Sequence, residues 1–361
     1  MLKAPKFWYY KTDSFLSHSL YPLSLIFRLG TKIRNLISKE REAKLPIICV
    51  GNIVVGGAGK TPVALKIGNM LKKAGYNPHF VSKGYGGLEK NNTLVNDWHS
   101  PKSVGDEPLL LSEIAPTWIG LDRNKSFELA REQGANCIVM DDGFQNPTLQ
   151  KDFSIVVVNG QQGFGNKRVI PSGPLRESIS RGLSRTNLVI TIGDISESVK
   201  NKIPKSVPVI GASFKIKEDD LMLKGQRVTA FAGIAYPEKF FNSLKLVKAN
   251  IVDQISYSDH YIYSENDLLN LAETANKNKS ILVTTKKDIV RIPKTFRSLV
   301  KDWFKMKAVA IIPSRLESSR LPEKALKDIC GIPMIIHVLK RCLLSEELSD
   351  VVVATDSKKI M

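Results

Sequence analysis

LPIICVGNIVVGGAGKTP, residues 45–62, runs from an apolar segment through a glycine-rich loop to the head of a helix. Leu45–Val50 predicts a buried strand, and the pattern from Thr61 to Ala74 predicts a helix. Gly56, Gly57 and Gly59, with the small Ala58 among them, let the backbone curl until its N–H groups converge, and a helix starting there adds the positive end of its dipole. Phosphate is the ligand such a loop suits. In this Walker A arrangement Lys60 spans the β- and γ-phosphates of a nucleotide and the Thr61 hydroxyl binds Mg²⁺. One position departs from the pattern: Val54 stands where a first glycine is usual, six residues before the lysine.

Outward from the loop, apolar runs that read as strands recur at His79–Ser82, Asn136–Met140, Phe153–Val158, Leu188–Ile192, Val207–Ala212, Arg227–Ala232 and Ser280–Thr284. Helical patterns lie between several of them, at Asn124–Gln133, Glu238–Val247 and Ser264–Asn276. This alternation predicts an α/β fold with a mainly parallel sheet covered on both faces. Gly193–Ser206 reads as a connection between two such sheets, so a two-lobed body is expected. Another boundary falls near Trp303–Met306, after which Ala308–Ile312 opens a fresh strand. The expected organisation is a helical N-terminal segment (1–44), a P-loop domain (45–305) and a further segment (306–361).

Two acidic segments could serve phosphoryl chemistry. Asn136–Met140 ends in Asp141-Asp142-Gly143, the layout of a Walker B strand tip that delivers a carboxylate to a metal. Asp and Gly also make plain turns, but ligands gather at the carboxyl ends of parallel strands, which favours a metal role for Asp141 or Asp142. In VGDEP (104–108), Asp106 and Glu107 precede the helical run Leu109–Ile114, where acids are equally common as helix caps. His260 sits in the polar, loop-like SYSDHY (256–261), and from this context alone it is a solvated histidine. A P-loop does not name a reaction. Many partitioning ATPases carry an extra lysine five residues before the main one, and here that residue is Val55. No Asn-Lys-x-Asp base-reading motif follows, as a GTPase would need.

The 361 residues suffice for two cores, and 43% hydrophobic with 24% charged residues describes a globular protein. Fifty-three Lys and Arg against thirty-five Asp and Glu leave a formal charge of +18, which favours anionic partners. Nucleic acid is not expected among them, since the basic residues are scattered and no nucleic-acid-binding signature accompanies them. Cys49, Cys137, Cys330 and Cys342 lie too far apart for close-paired zinc or redox motifs, and a reducing compartment is expected. Phe15–Leu29 is mostly apolar but short and interrupted for a membrane span. Aromatic Phe7–Tyr10 before it and Lys32, Arg34, Lys39 and Arg41 after it suit a helix lying in a membrane interface. A helix packed on its own domain is the competing reading.

Taken together, GNIVVGGAGKTP (51–62), GYGG (84–87), VGDEP (104–108), DDGFQ (141–145), GFGNKRVIPSGPLRE (163–177), GIAYPEKFF (233–241), SDH (258–260) and TTKKD (284–288) resemble the tetraacyldisaccharide 4'-kinase family. The resemblance runs over nearly all of residues 1 to about 305, in the family's order. It implies a P-loop kinase that uses ATP and Mg²⁺ to phosphorylate the 4'-hydroxyl of a lipid A disaccharide precursor. It further implies peripheral or monotopic attachment by the N-terminal helix to an anionic membrane surface, at the cytoplasmic face of the inner membrane. Lys60 and Thr61 take the nucleotide roles, Asp141 or Asp142 the metal role, and Asp106 the role of the acid acting on the acceptor hydroxyl, with His260 beside it. Three residues depart from the family's usual ones: Lys83 for an arginine, Asn146 for a histidine and Lys286 for a glutamate.

From Lys307 the resemblance changes. IIPSRLESSRLPEKAL (311–326), CGIPMIIHV (330–338) and VVVATD (351–356) are similar to the opening of 3-deoxy-manno-octulosonate cytidylyltransferase. That family's first loop holds CTP phosphates with basic residues, here Arg315, Arg320 and Lys324, while Glu323 and Ala325 depart from its glycine and proline. Met306 resembles an initiator methionine, and a partial, inactive cytidylyltransferase-like fragment is expected. Two other functions compete with a lipid kinase: a regulatory ATPase without a small-molecule acceptor, and a fusion whose activity includes cytidylyl transfer.

Overall fold

The computed structural model describes residues 4–10, 14–213, 223–293, 296, 300–303, 307–314, 328–329, 332–333 and 348–355. Its first strands are β1 (Ile47–Gly51), β2 (Pro78–Ser82), β3 (Thr93–Leu94), β4 (Thr117–Ile119), β5 (Cys137–Asp141), β6 (Phe153–Asn159), β7 (Leu188–Ile192) and β8 (Val209–Ser213). They lie in the order β8-β7-β6-β1-β5-β2-β4-β3. Every pairing among them is parallel except the short edge pair β3–β4. In the register of β1 and β5, Val50 lies opposite Asp141. The loop leaving β1 and the acids ending β5 therefore share one edge of the sheet, where α/β folds bind ligands.

Strand residues alternate between two cores because successive side chains point to opposite faces. Ile47, Cys49, Ile138, Met140, Val156 and Val158 pack on one face with Phe127 and Ala130 of the helix Arg123–Glu132. Val50, Val139 and Val157 pack on the other with Val63 and Ala64 of the helix Lys60–Lys73. These apolar runs are buried on both faces, as a covered parallel sheet requires.

The second sheet comprises β9 (Arg227–Ala232), β10 (Asn250–Ser256), β11 (Ile281–Thr285) and β12 (Val300–Trp303), all parallel, in the order β10-β9-β11-β12. The helix Pro237–Leu246 covers one face through Phe240, Phe241 and Leu244; the helix Glu265–Lys277 covers the other through Leu268, Leu271 and Ala275. Leu110 of the helix Asp106–Ser112 joins that second core beside Phe231 and Tyr263, so this helix ties the two sheets together. The connection expected at Gly193–Ser206 lies elsewhere: this stretch links β7 to β8 within the first sheet, and the passage to the second sheet follows Ser213. Polarity marked the stretch as a connection correctly, but it could not say which strands were joined.

β13 (Lys307–Ser314) pairs with β16 (Leu348–Thr355) in parallel and touches β8 antiparallel at Lys307 and Ala308; β14 (Asp328–Ile329) and β15 (Ile332–Pro333) form a small antiparallel pair. Met306, Arg315, Arg320, Glu323, Lys324, Ala325, Cys330 and Cys342 lie outside the described residues. Cys49 and Cys137 are buried free thiols.

At the N-terminus the helix Tyr21–Ile37 buries only Ser24, while Leu23, Leu25, Ile26, Leu29, Ile33, Leu36 and Ile37 are exposed. Its inward side is polar: Ser24 Oγ donates to Val169 O at 2.7 Å, and Ser17 Oγ, from the preceding turn of helix, donates to Ser172 O at 2.7 Å. Among the described residues no helix is long and apolar enough to cross a membrane.

Candidate active site

Gly59 holds φ +91°, a left-handed conformation that favours glycine, and the helix starts at Lys60 directly after it. Gly56 and Gly57 face open space, leaving the loop's backbone accessible. The unusual Val54 has a local explanation. It forms a β-bridge with Leu175, and Val55 N donates to Pro174 O at 2.8 Å, so the loop opens in extended backbone that a β-branched residue suits.

That bridge carries Arg176 to the acids. Arg176 grips Asp142 with two hydrogen bonds, Nη1 to Oδ1 at 2.7 Å and Nη2 to Oδ2 at 3.2 Å. Lys60 Nζ lies 3.8 Å from Asp142 Oδ2. Burial works to raise the Asp142 carboxyl, but Lys60 and Arg176 outweigh it and hold the group below its ordinary value. Asp141 is different: Thr61 Oγ1 donates to its Oδ2 at 3.0 Å, and its buried Oδ1 has no partner among the described residues. Burial pushes the Asp141 carboxyl up to about 7 against the attraction of Lys60. Burial likewise lowers the Lys60 ammonium, with Asp142 opposing.

A second cluster forms where the helix Asp106–Ser112 begins. Gly105 before it has φ +89°, and a Cβ there would lie 2.5 Å from Tyr85 O, so only glycine fits. Asp106 is buried, and neither of its oxygens is spent on capping its own helix. His260 Nδ1 donates to Oδ1 at 3.0 Å; Arg291 Nε donates to Oδ2 at 3.0 Å, and Arg291 Nη2 contacts the same oxygen. Lys287 Nζ stands 3.6 Å from Oδ2, 2.7 Å from Glu107 Oε1 and 3.3 Å from His260 Nε2. An ammonium facing Nε2 suits the neutral imidazole whose Nδ1 carries the proton toward Asp106. Burial alone would raise the Asp106 carboxyl, but the His260 hydrogen bond and the charges of Lys287 and Arg291 hold it well below the usual carboxylate range.

The two clusters are electrostatically connected, since the Glu107 charge acts on both Lys60 and Asp141. Asp106 and His260, 154 residues apart, are brought into contact, and Lys60, Thr61, Asp141 and Asp142 meet at the P-loop. Sequence reasoning left out Arg176, Lys287 and Arg291, which hold these groups. Arg176 and Lys287 lay inside motifs already singled out; Arg291 had one signal, its i,i+3 spacing from Asp288, to which it is bonded at 3.1 Å. The departing residues have quiet local roles: Lys83 is exposed, Asn146 accepts from Thr148 N at 3.1 Å, and Lys286 pairs with Glu113 at 2.7 Å.

Residues 16–327 match the family described as tetraacyldisaccharide-1-P 4'-kinase, and residues 309–361 match the cytidylyltransferase family. The tetraacyldisaccharide 4'-kinase of Gluconobacter oxydans (strain 621H) is 42% identical over 300 residues, covering 83% of this chain and 91% of the relative. That of Rhodospirillum rubrum is 43% identical over 297 residues, covering 81% and 89%. A crystal structure described as the "apo" form of LpxK from Aquifex aeolicus in complex with ATP aligns with a TM-score of 0.67 at 25% identity, covering 81% of this chain and 95% of that one. The chain belongs to the tetraacyldisaccharide 4'-kinase family.

Proposed function

We propose that this chain transfers the γ-phosphoryl group of ATP to the 4'-hydroxyl of a tetraacyldisaccharide 1-phosphate, a lipid A precursor, with Asp106 receiving the hydroxyl proton. The observation that carries the residue roles is the packing of the helix that the phosphate loop heads against the helix that Asp106 and Glu107 head, which sets Lys60 within electrostatic reach of Glu107 beside the His260–Asp106 pair. The O4'–Pγ bond forms as the bond from Pγ to the β,γ-bridging oxygen breaks. ADP leaves with the electron pair, and the hydroxyl proton passes to Asp106. Oδ2 is taken up by Arg291 and approached by Lys287, Oδ1 accepts from His260, and the Glu107 carboxyl also hydrogen-bonds Asp106. Oδ1, which the Arg291 fork leaves open, is the proton acceptor in this reading. His260 aims that oxygen through its Nδ1–H.

Lys60 and the backbone N–H groups of Gly56–Thr61 hold the transferring phosphates. Thr61 and Asp141 offer the hard oxygen donors Mg²⁺ prefers, and the unpartnered Asp141 Oδ1 fits a cation. Asp142 is already claimed by Arg176 and Lys60, which makes Asp141 the metal ligand of the two. Bound there, Mg²⁺ would neutralise charge on the β- and γ-phosphate oxygens. A cleft of about 330 Å³ between the N-terminal helix and Arg176–Arg181 sets Leu25 and Leu29 beside Arg28, Lys32, Arg176 and Arg181. That pairing of apolar wall and cations suits an acylated, phosphorylated sugar. The exposed apolar side of the same helix, with its basic residues, suits attachment to an anionic membrane surface at the cytoplasmic face of the inner membrane.

The test is incubation with ATP, Mg²⁺ and the disaccharide 1-phosphate, followed by mass measurement of the lipid; a gain of one phosphoryl group is expected. Asp106→Asn keeps the shape and removes the basicity, and kcat should fall about 10²–10⁴-fold. An Asp106→Asn enzyme with unaltered kcat would eliminate Asp106 as the base.

A further inference from the structure

We infer that Arg291 is a positioning residue for phosphoryl transfer: its buried guanidinium, wedged between Asp106 and Asp288, fixes the aim of the Asp106 carboxylate. This rests on the proposed role of Asp106 and adds a group that touches neither substrate.

The geometry leaves the guanidinium no freedom. The Arg291 side chain is 1% exposed, and each of its nitrogens has a partner. Nε and Nη2 meet Asp106 Oδ2, while Nη1 donates to Gly233 O at 2.6 Å and to Asp288 Oδ1 at 3.1 Å. Asp288 is itself fixed. Its Oδ1 accepts from Gly233 N at 2.9 Å and from Tyr263 OH at 2.9 Å, and its Oδ2 accepts from Thr285 Oγ1 at 2.5 Å. A flat fork anchored on three sides presents Nε and Nη2 in one orientation, and the carboxylate it holds must follow. With Oδ2 locked, Oδ1 turns toward His260 and its remaining lone pair points in a set direction. A misaimed base can cost about 10²-fold in rate, so this constraint acts on kcat.

Charge is the second effect. The groups facing Asp106 are His260, Lys287 and Arg291 from the second sheet's side and Glu107 from its own helix, with Asp288 behind Arg291 and Asp259 3.8 Å from His260 Nε2. Arg291 and Lys287 both stay charged near neutrality, the guanidinium by nature and the ammonium because the Glu107 and Asp106 charges outweigh its burial, but only Arg291 meets Asp106 through a fork. Burial works to raise the Asp106 carboxyl, and the Arg291 charge opposes it alongside the His260 hydrogen bond and the Lys287 charge. A carboxylate so stabilised is a weak base, but the loose transition state of phosphoryl transfer asks for alignment more than for proton affinity.

The experiment is a cycle of Arg291→Met, Arg291→Lys, Asp106→Asn and the Asp106→Asn double variants, assayed for kcat, KM for ATP and the pH profile, with thermal unfolding measured for each. Arg291→Met should lower kcat about 10–10²-fold, leave KM for ATP within about twofold, and move the acid limb of the profile to higher pH. Arg291→Lys keeps the charge and loses the fork, so kcat should fall while the acid limb stays in place. In the Asp106→Asn background neither substitution should cost more than about twofold, since the group it acts through is gone. If Arg291→Met does not fold, the Lys variant and its double decide. A full further loss in the Asp106→Asn background, or an unmoved profile and kcat in Arg291→Met, overturns the inference. Unaltered kcat in Asp106→Asn alone would instead show that the base assignment failed first.

Discussion

Removing the Lys60 ammonium while leaving the loop's glycines in place should separate charge from shape. Lys60→Ala is expected to lower kcat by about 10²–10³-fold, the range for losing one preorganised donor to a developing charge; turnover near normal would sink the P-loop assignment. Asp141 makes a different prediction, on stability. Its carboxyl is pushed up to about 7 from an ordinary 3.8, so between those values the folded protein holds a proton that the unfolded chain has released. Raising the pH through that window therefore penalises the folded state, by at most on the order of 4 kcal/mol. Asp141→Asn cannot ionise and should melt at a higher temperature than the wild type at pH 8 but not at pH 4, in Mg²⁺-free buffer. Equal melting temperatures at both pH values would refute the burial argument, and the same variant should lose the stabilisation that Mg²⁺ with ATP gives the wild type. The placing of Lys60 and Thr61 at a loop before a helix was legible because strand, loop and helix follow one another within a few residues, and Asp141 and Asp142 stood out at the tip of an apolar run. Asp106 was ambiguous and His260 looked solvated, because the contact between them spans 154 residues and only the fold makes it.

Elements were legible in proportion to their burial. The runs that became β1, β5, β6 and β7 are apolar on both faces, and each was expected within two residues at either end. β10 was not, because NIVDQIS is an edge strand with no residue fully buried, and polar side chains disguise its period. β4 escaped because it is three residues long and follows Pro116. At the N-terminus the helix was legible but its partner was not: Ser24 fastens it to Val169 and Ser172, as the packed-helix reading expects, while its apolar side is exposed. Leu36 and Ile37 are each 76% exposed, so replacing both by glutamate should not disturb the fold. The double variant should co-sediment less with anionic vesicles, and the loss should be largest at low salt, where added negative charge is least screened. Melting temperature and kinase turnover on detergent-dispersed lipid should stay near those of the wild type. Unchanged co-sedimentation would leave the helix as packing alone.

At the scale of the whole molecule, the two sheets meet at the helix Asp106–Ser112, and the cations that cross this junction gather on the acids at and beside that helix. Arg291 and His260 reach Asp106, Lys287 reaches Glu107, and Lys286 reaches Glu113. The groups placed in catalysis all precede Ile292, and the last strand of the second sheet, β12, ends at Trp303. The family match nevertheless runs on to residue 327 and overlaps the cytidylyltransferase match that starts at 309. The backbone offers a way to decide where the kinase ends. β13 meets the first sheet through only Lys307 with Ser213 and Ala308 with Ala212, at the β8 edge, which is far along the sheet from β1 and β5. Losing a short antiparallel contact is expected to cost little, and among the described residues no hydrogen bond or ion pair joins it to the proposed site. A protein ending at Lys305 should therefore keep kcat and KM for ATP within about twofold of the full chain and melt within a few degrees of it. A folded truncation without kinase activity would show that residues after 305 complete the active body, and the kinase boundary would then belong near 327.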